Sequence, residues 1–205
     1  MVYWISIILV TLMSGCSIIK TVPSKSEYRL VVPEVTPAHD SACHQSTLKL
    51  EPVQSADTFL ERHIYYVMHD IEQYHYTQSL WAQSPNRMIE QLIKQVLIER
   101  NMFDSVLDYR SNADTTWRYE VRLLDFMQYF EQDSSSYVKV SIDFVLIQNI
   151  GRKAVASKHL ELTLPTQSAD AKGGVMALNE ALKRIISQSN QWLEVQCRRN
   201  KEGKL

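Results

Sequence analysis

Three histidines, His63, His69 and His75, recur every sixth residue in the first half of the chain. Imidazole is the commonest metal ligand, so this spacing raises a metal site first. A hairpin would bring His69 near His75. Yet the sequence holds no H-x-x-H, H-E-x-x-H or C-x-x-C, and two imidazoles alone make a poor site. Exposed strand histidines are the expectation, with no metal and no cofactor. Asp57, Glu61, Asp70 and Glu72 lack the paired spacing used in acid/base work. No G-x-S-x-G surrounds a serine, and the serines at 134–136 read as a loop. No catalytic residue is assigned, and the chain is not expected to be an enzyme. Its 22 basic and 23 acidic residues leave a net charge of −1, which gives no electrostatic case for nucleic acid. There are five glycines, and "KGG" at 172–174 is too short for a phosphate-cradling loop.

The three cysteines say more. Residues 1–19 carry no charge, and 5–13 have the length of a signal-peptide apolar core. Ser14, Gly15 and Cys16 close that run with small residues. The pattern resembles a bacterial lipobox, in which the thiol is acylated and the chain is cut before the cysteine. Met13 stands where Leu is usual, and "MVYW" lacks the customary basic residue. The alternative is an uncleaved helix, since nineteen uncharged residues just span a bilayer. Either way the body is tethered to a membrane and lies outside the cytoplasm. The lipobox implies several acyl chains on Cys16, hence stable anchoring. Ser17, rather than Asp, would follow, which points to the outer membrane. With Cys16 acylated, Cys43 and Cys197 remain as an even pair in an oxidising compartment, and a disulfide between them is expected. Two separate thiols are the alternative.

The elements that would carry these groups follow from periodicity. Residues 1–15 read as signal peptide, 16–27 as lipidated tether, 28–197 as one domain and 198–205 as a charged, frayed tail. Strands are expected at 28–33, 47–53, 64–69, 73–79 and 103–109, with 64–79 as a hairpin or meander. Ser84 as cap and Pro85 at the first helical position open a helix. Its apolar stripe is Ile89, Leu92, Ile93, Val96 and Leu97. Trp117, Tyr119, Val121 and Leu123 share a strand face, and the parity then moves to Leu124 and Phe126, predicting a bulge near Leu123. Val138, Val140, Ile142, Phe144 and Leu146 alternate in the clearest strand, which a turn at 148–152 returns to Leu160, Leu162 and Leu164. A long helix over about 170–196 carries Leu178, Leu182, Ile185 and Leu193. The expected class is α+β: a mainly antiparallel sheet with two long amphipathic helices packed on it.

Tyr65, Tyr66, Tyr74, Tyr76 and Trp81 crowd the segment before the first helix. Tyrosine and tryptophan suit half-wet partner surfaces, although strand packing is the competing explanation. Tyr65, Tyr76 and Trp81 are the candidate partner-binding residues. With Ala82, Pro85 and Met88, and with "YRLVVP" before them, these residues resemble the pattern of the ABC-type transport auxiliary lipoproteins. These PqiC-like proteins accompany MCE-domain lipid transport systems. The resemblance covers about residues 28–197. It implies a non-enzymatic lipoprotein on the periplasmic face of the outer membrane. Its partners would be an MCE-domain protein and, through it, an ABC transporter permease and ATPase; homo-oligomerisation stays open. A pilot or assembly lipoprotein of a secretion or lipopolysaccharide-export machine is the rival.

Overall fold

The computed structural model describes residues 24–38 and 40–203. The expected signal segment, the expected anchor at Cys16 and the tether residues before Ser24 lie outside those residues. The strands are β1 Ser26–Tyr28, β2 Thr47–Leu50, β3 Gln54–Ser55, β4 His63–Met68, β5 Glu72–Trp81, β6 Ser105–Asp108, β7 Trp117–Phe130, β8 Ser136–Gln148 and β9 Lys153–Pro165. Helix α1, Pro85–Arg100, separates β5 from β6, and α2, Ala171–Lys201, closes the domain.

Strand β7 is the spine. Along one edge it pairs antiparallel with β8, from Trp117↔Gln148 to Phe130↔Ser136, and β9 is antiparallel to β8. Along its other edge lie β2, β3 and β4 in chain order, all parallel to it: Leu48↔Trp117, Gln54↔Arg122 and Tyr66↔Gln128. Strand β5 is antiparallel to β4, while β1 and β6 join β5 and β2 in parallel. The class is α+β, but the sheet is mixed rather than mainly antiparallel. Period-two alternation tells which face a side chain takes and is silent on a neighbour's direction. Parallel pairing needs a long crossover, and the segment from β5 through α1 and β6 supplies it.

The parity change in β7 is a bulge: its register against β8 shifts between Leu123 and Asp125. The extra residue lets both Leu123 and Phe126 reach the core. Both helices join that core. Ile89, Leu92, Ile93, Val96 and Leu97 of α1 and Leu178, Leu182, Ile185 and Leu193 of α2 meet Leu48, Val121, Val140, Ile142 and Phe144. Burying each such aliphatic side chain contributes about 1.5–3 kcal/mol. Ser84 makes no side-chain cap on α1 and is itself buried, whereas Asp170 caps α2 by accepting from the Gly173 N–H at 2.7 Å. Helix α2 runs to Lys201, so the basic residues expected to fray are helical through that position. Arg198, Arg199 and Lys201 complement the negative end of the helix dipole.

The strand expected at 28–33 is shorter and earlier. After Tyr28 the chain leaves the sheet and straps the helices. Val31 N–H donates to Asn179 Oδ1 at 2.8 Å, and Ala38 N–H donates to the Arg100 carbonyl at 2.7 Å. Pro33 and Pro37 have no N–H, which suits a strap better than a ladder. Beyond it Cys43 is bonded to Cys197, Cα–Cα 5.3 Å, and both are 2% exposed. Arg100 ties the same region by pairing with Glu194.

Candidate partner-docking surface

Strands β4 and β5 reach the end of the sheet where Met68 stands beside Phe130. Their turn uses left-handed backbone at His69 and Asp70 (φ 53° and 62°). Such conformations are uncommon outside glycine, with Asn, Asp and His the most tolerant. The turn leaves Ile71 87% exposed.

Alternation splits the hairpin's aromatics between two faces. On one face Tyr66 is the hub: its ring lies 5.7 Å from Tyr74, 4.7 Å from Tyr76 and 5.4 Å from Phe130. Tyr74 is 46% exposed, and its hydroxyl donates to Glu72 at 3.1 Å. That bond holds the Tyr74 phenol above its usual pKa. Tyr76 anchors the group inward. Its hydroxyl donates to Gln128 Oε1 at 2.9 Å, and Gln128 Nε2 donates to Ser136 Oγ at 2.9 Å. Gln128 is fully buried, and desolvation pushes the Tyr76 phenol well up, so it remains a donor. Helix α2 closes on this amide at Gly174, where a Cβ would lie 2.1 Å from Gln128 Oε1.

Tyr65 belongs to the opposite face. His63 stacks on His75 with centroids 4.2 Å apart, and Tyr65 meets both edge-on. Glu61 accepts from the Tyr65 hydroxyl at 2.8 Å and lies 2.9 Å from His63 Nδ1. Those hydrogen bonds, the His63 one foremost, hold the Glu61 carboxyl below its usual range. His69 sits instead by Glu72 at 3.4 Å. Among the described residues no group of three or more His, Cys, Asp or Glu could hold a metal ion.

The three candidate residues therefore part company. Tyr65 and Tyr76 are half-buried on opposite faces, and Trp81 is not a surface residue at all. It is 1% exposed and packs against Phe126, 5.6 Å between centroids. Trp81 is the last residue of β5, where β1 and the core enclose it. The aromatic face is made instead by Tyr66, Tyr74 and Phe130, with Ile71 exposed at the turn beside Glu72. Tyr66 and Tyr74 stood in the same aromatic run. Phe130 is distant in sequence, and only the parallel β4–β7 pairing brings it there.

The family model for the ABC-type transport auxiliary lipoprotein component matches residues 28–188. The chain belongs to that family. The match takes in the hairpin, α1, the β7–β9 meander and most of α2. No curated protein matches this lipoprotein by sequence. Among solved structures, a DUF330 protein from Xanthomonas campestris gives a TM-score of 0.76 at 16% identity, over 86% of this chain and 99% of that one. A second, described as an uncharacterized protein, gives 0.64 at 14% identity, over 83% and 99%. Both likenesses show the fold. Among the described residues of the lipoprotein no helix is long and apolar enough to cross a membrane.

Proposed function

We propose that this transport auxiliary lipoprotein is anchored through Cys16 to the periplasmic face of the outer membrane. There it serves an MCE-type, ABC-driven phospholipid transport system by protein contact rather than by catalysis. The observation that carries this reading is the hairpin's aromatic face, in a chain of a transport auxiliary family. Tyr66, Tyr74 and Phe130 present ring surface and hydroxyls together, the composition that favours partner contacts. The Tyr76–Gln128–Ser136 network holds that face from behind. A rigid platform of this kind loses little side-chain entropy when a partner docks. In this reading ATP is handled by another subunit, and the lipoprotein positions the assembly at the membrane.

The test is affinity recovery of the full-length lipoprotein from chemically crosslinked membranes. Recovery of an MCE-domain protein, weakened by Tyr74→Ala, is the expected result. Recovery of a secretin without any MCE-domain protein would replace this reading with that of a pilot lipoprotein. Turnover of an ester substrate by the purified protein would contradict the non-catalytic part.

A further inference from the structure

We propose that the end of the molecule bearing the hairpin docks a basic, amphipathic segment of a protein partner, with its apolar side chains on Tyr66, Tyr74 and Ile71 and its lysines or arginines among the surrounding carboxylates. This rests on the transport auxiliary reading and adds the chemistry of the contact.

The first observation is apolar. Tyr74 is 46% exposed and continues through Tyr66 to Phe130, and Ile71, at the turn of the same hairpin, is 87% exposed. The second is the charge around it. Because β4 is parallel to β7, the β4–β5 turn lies at the same end as the β7–β8 turn. The β9–α2 loop joins them there, since Thr166 N–H donates to the Ser136 carbonyl at 2.9 Å. Asp70, Glu72, Glu131, Asp133 and Asp170 therefore share one end, and the cations of those three loops are Lys172 and, when protonated, His69. The chain as a whole is almost neutral, at −1. Elsewhere in the described body several carboxylates pair with strong cations, as in Arg62–Glu27, Lys94–Asp108 and Arg184–Glu180, and Lys139, which lines the same cavity as Glu131 and Ser135, is taken up by Glu161. At this end their partners are local: Glu72 meets His69 and Tyr74, Glu131 meets Ser135, and Asp133 and Asp170 accept turn and helix-cap bonds. The turn and cap bonds hold Asp133 and Asp170 in the ionised form.

These two observations select the occupant. A second copy would bring like charge against like, which disfavours pairing through this end. An anionic lipid surface is repelled for the same reason. A basic segment with apolar residues gains from both the rings and the carboxylates, and the long-range field speeds its encounter.

The experiment places the photocrosslinker p-benzoylphenylalanine at Ile71 of the full-length lipoprotein in its native envelope. The crosslinked peptide is then mapped. Expected is a peptide from a protein partner with net positive charge. The yield should fall several-fold at high salt and in the Asp70→Lys/Glu72→Lys background. A crosslink to lipid, to a second copy or to a neutral or acidic peptide overturns the proposal, as does no crosslink. A deletion strain separates the two readings. If deletion impairs the envelope and the double charge reversal restores it fully, the basic-segment proposal fails while the auxiliary role stands. If deletion has no envelope effect, the auxiliary role itself fails.

Discussion

Gly174 of α2 stands against the amide of Gln128 on β7, so close that a Cβ would lie 2.1 Å from its oxygen. Gln128 cannot step aside without loss, because Tyr76 and Ser136 hold it from two directions and it is fully buried. The start of the last helix, the spine strand and the β4–β5 hairpin thus meet at one side chain.

Gly174→Ala should therefore destabilise the fold. Overpacking costs roughly 1–3 kcal/mol, offset by about 1 kcal/mol of helix propensity that alanine regains. Hydrogen exchange should rise in the hairpin as the Tyr76 bond weakens. Combined with Gln128→Ala, the two losses should be less than additive in a double-mutant cycle followed by urea denaturation. Strict additivity would mean that the contact carries no energy.

Removing the Cys43–Cys197 bond by Cys43→Ser/Cys197→Ser frees a span of 154 positions. The chain-entropy account puts its contribution at up to about 5 kcal/mol. Thermal unfolding with and without reductant should show the wild type falling towards the double variant. The variant itself should not respond. Equal stability of both proteins under oxidising conditions would show that the strap and core suffice.

Arg100→Ala should cost about 1–3 kcal/mol. It strips the half-buried Glu194 of its cation and the strap of a side-chain donor to the Thr36 carbonyl. Exchange at the Ala38 amide should rise with it. Because the pair is largely shielded, salt should not reproduce the effect; a wild type that loses the same stability in high salt would contradict this.

Asp125 carries the clearest pH dependence. It follows the bulge, and burial raises its carboxyl above the usual value near 3.8, while the Tyr129 hydroxyl at 2.5 Å pulls the other way. The folded state therefore holds this proton more tightly than the unfolded chain does. Its contribution to stability is complete below the unfolded pKa and is lost as pH rises through the folded one. Asp125→Asn keeps an acceptor for Tyr129 and carries no charge, so it should be the more stable protein at neutral pH, with the gap closing towards pH 4. An unfolding series across that range checks the sign; a variant less stable at pH 7 would reverse it.

Much of this fold was legible because alternation and helical stripes report burial directly. The parity change towards Leu124 and Phe126 announced a bulge, although Leu124 itself is 44% exposed, and Leu92, Ile93 and Val96 announced a buried helix face. Leu48 and Ile64 were readable as strand residues, but nothing in their pattern said that both strands run parallel to β7, for strand direction leaves no mark on period two. The same gap hid Phe130 from the candidate surface. Trp81 was misplaced for a different reason: an aromatic run does not say which parity faces inward. Here β5 buries its last residue and exposes its first. The Gly174–Gln128 contact had no signal at all, because a glycine in a helix and a glutamine in a strand each look ordinary until the two elements meet.

The most direct measurement is the transfer of pulse-labelled phospholipid between inner and outer membranes in cells lacking this lipoprotein. Transfer should be slowed, restored by the wild-type chain, and restored poorly by Cys16→Ser, which would remove the proposed anchor, and by Tyr74→Ala, which removes the exposed ring. Transfer at the normal rate in the deletion strain, or full restoration by both variants, would contradict the proposed role.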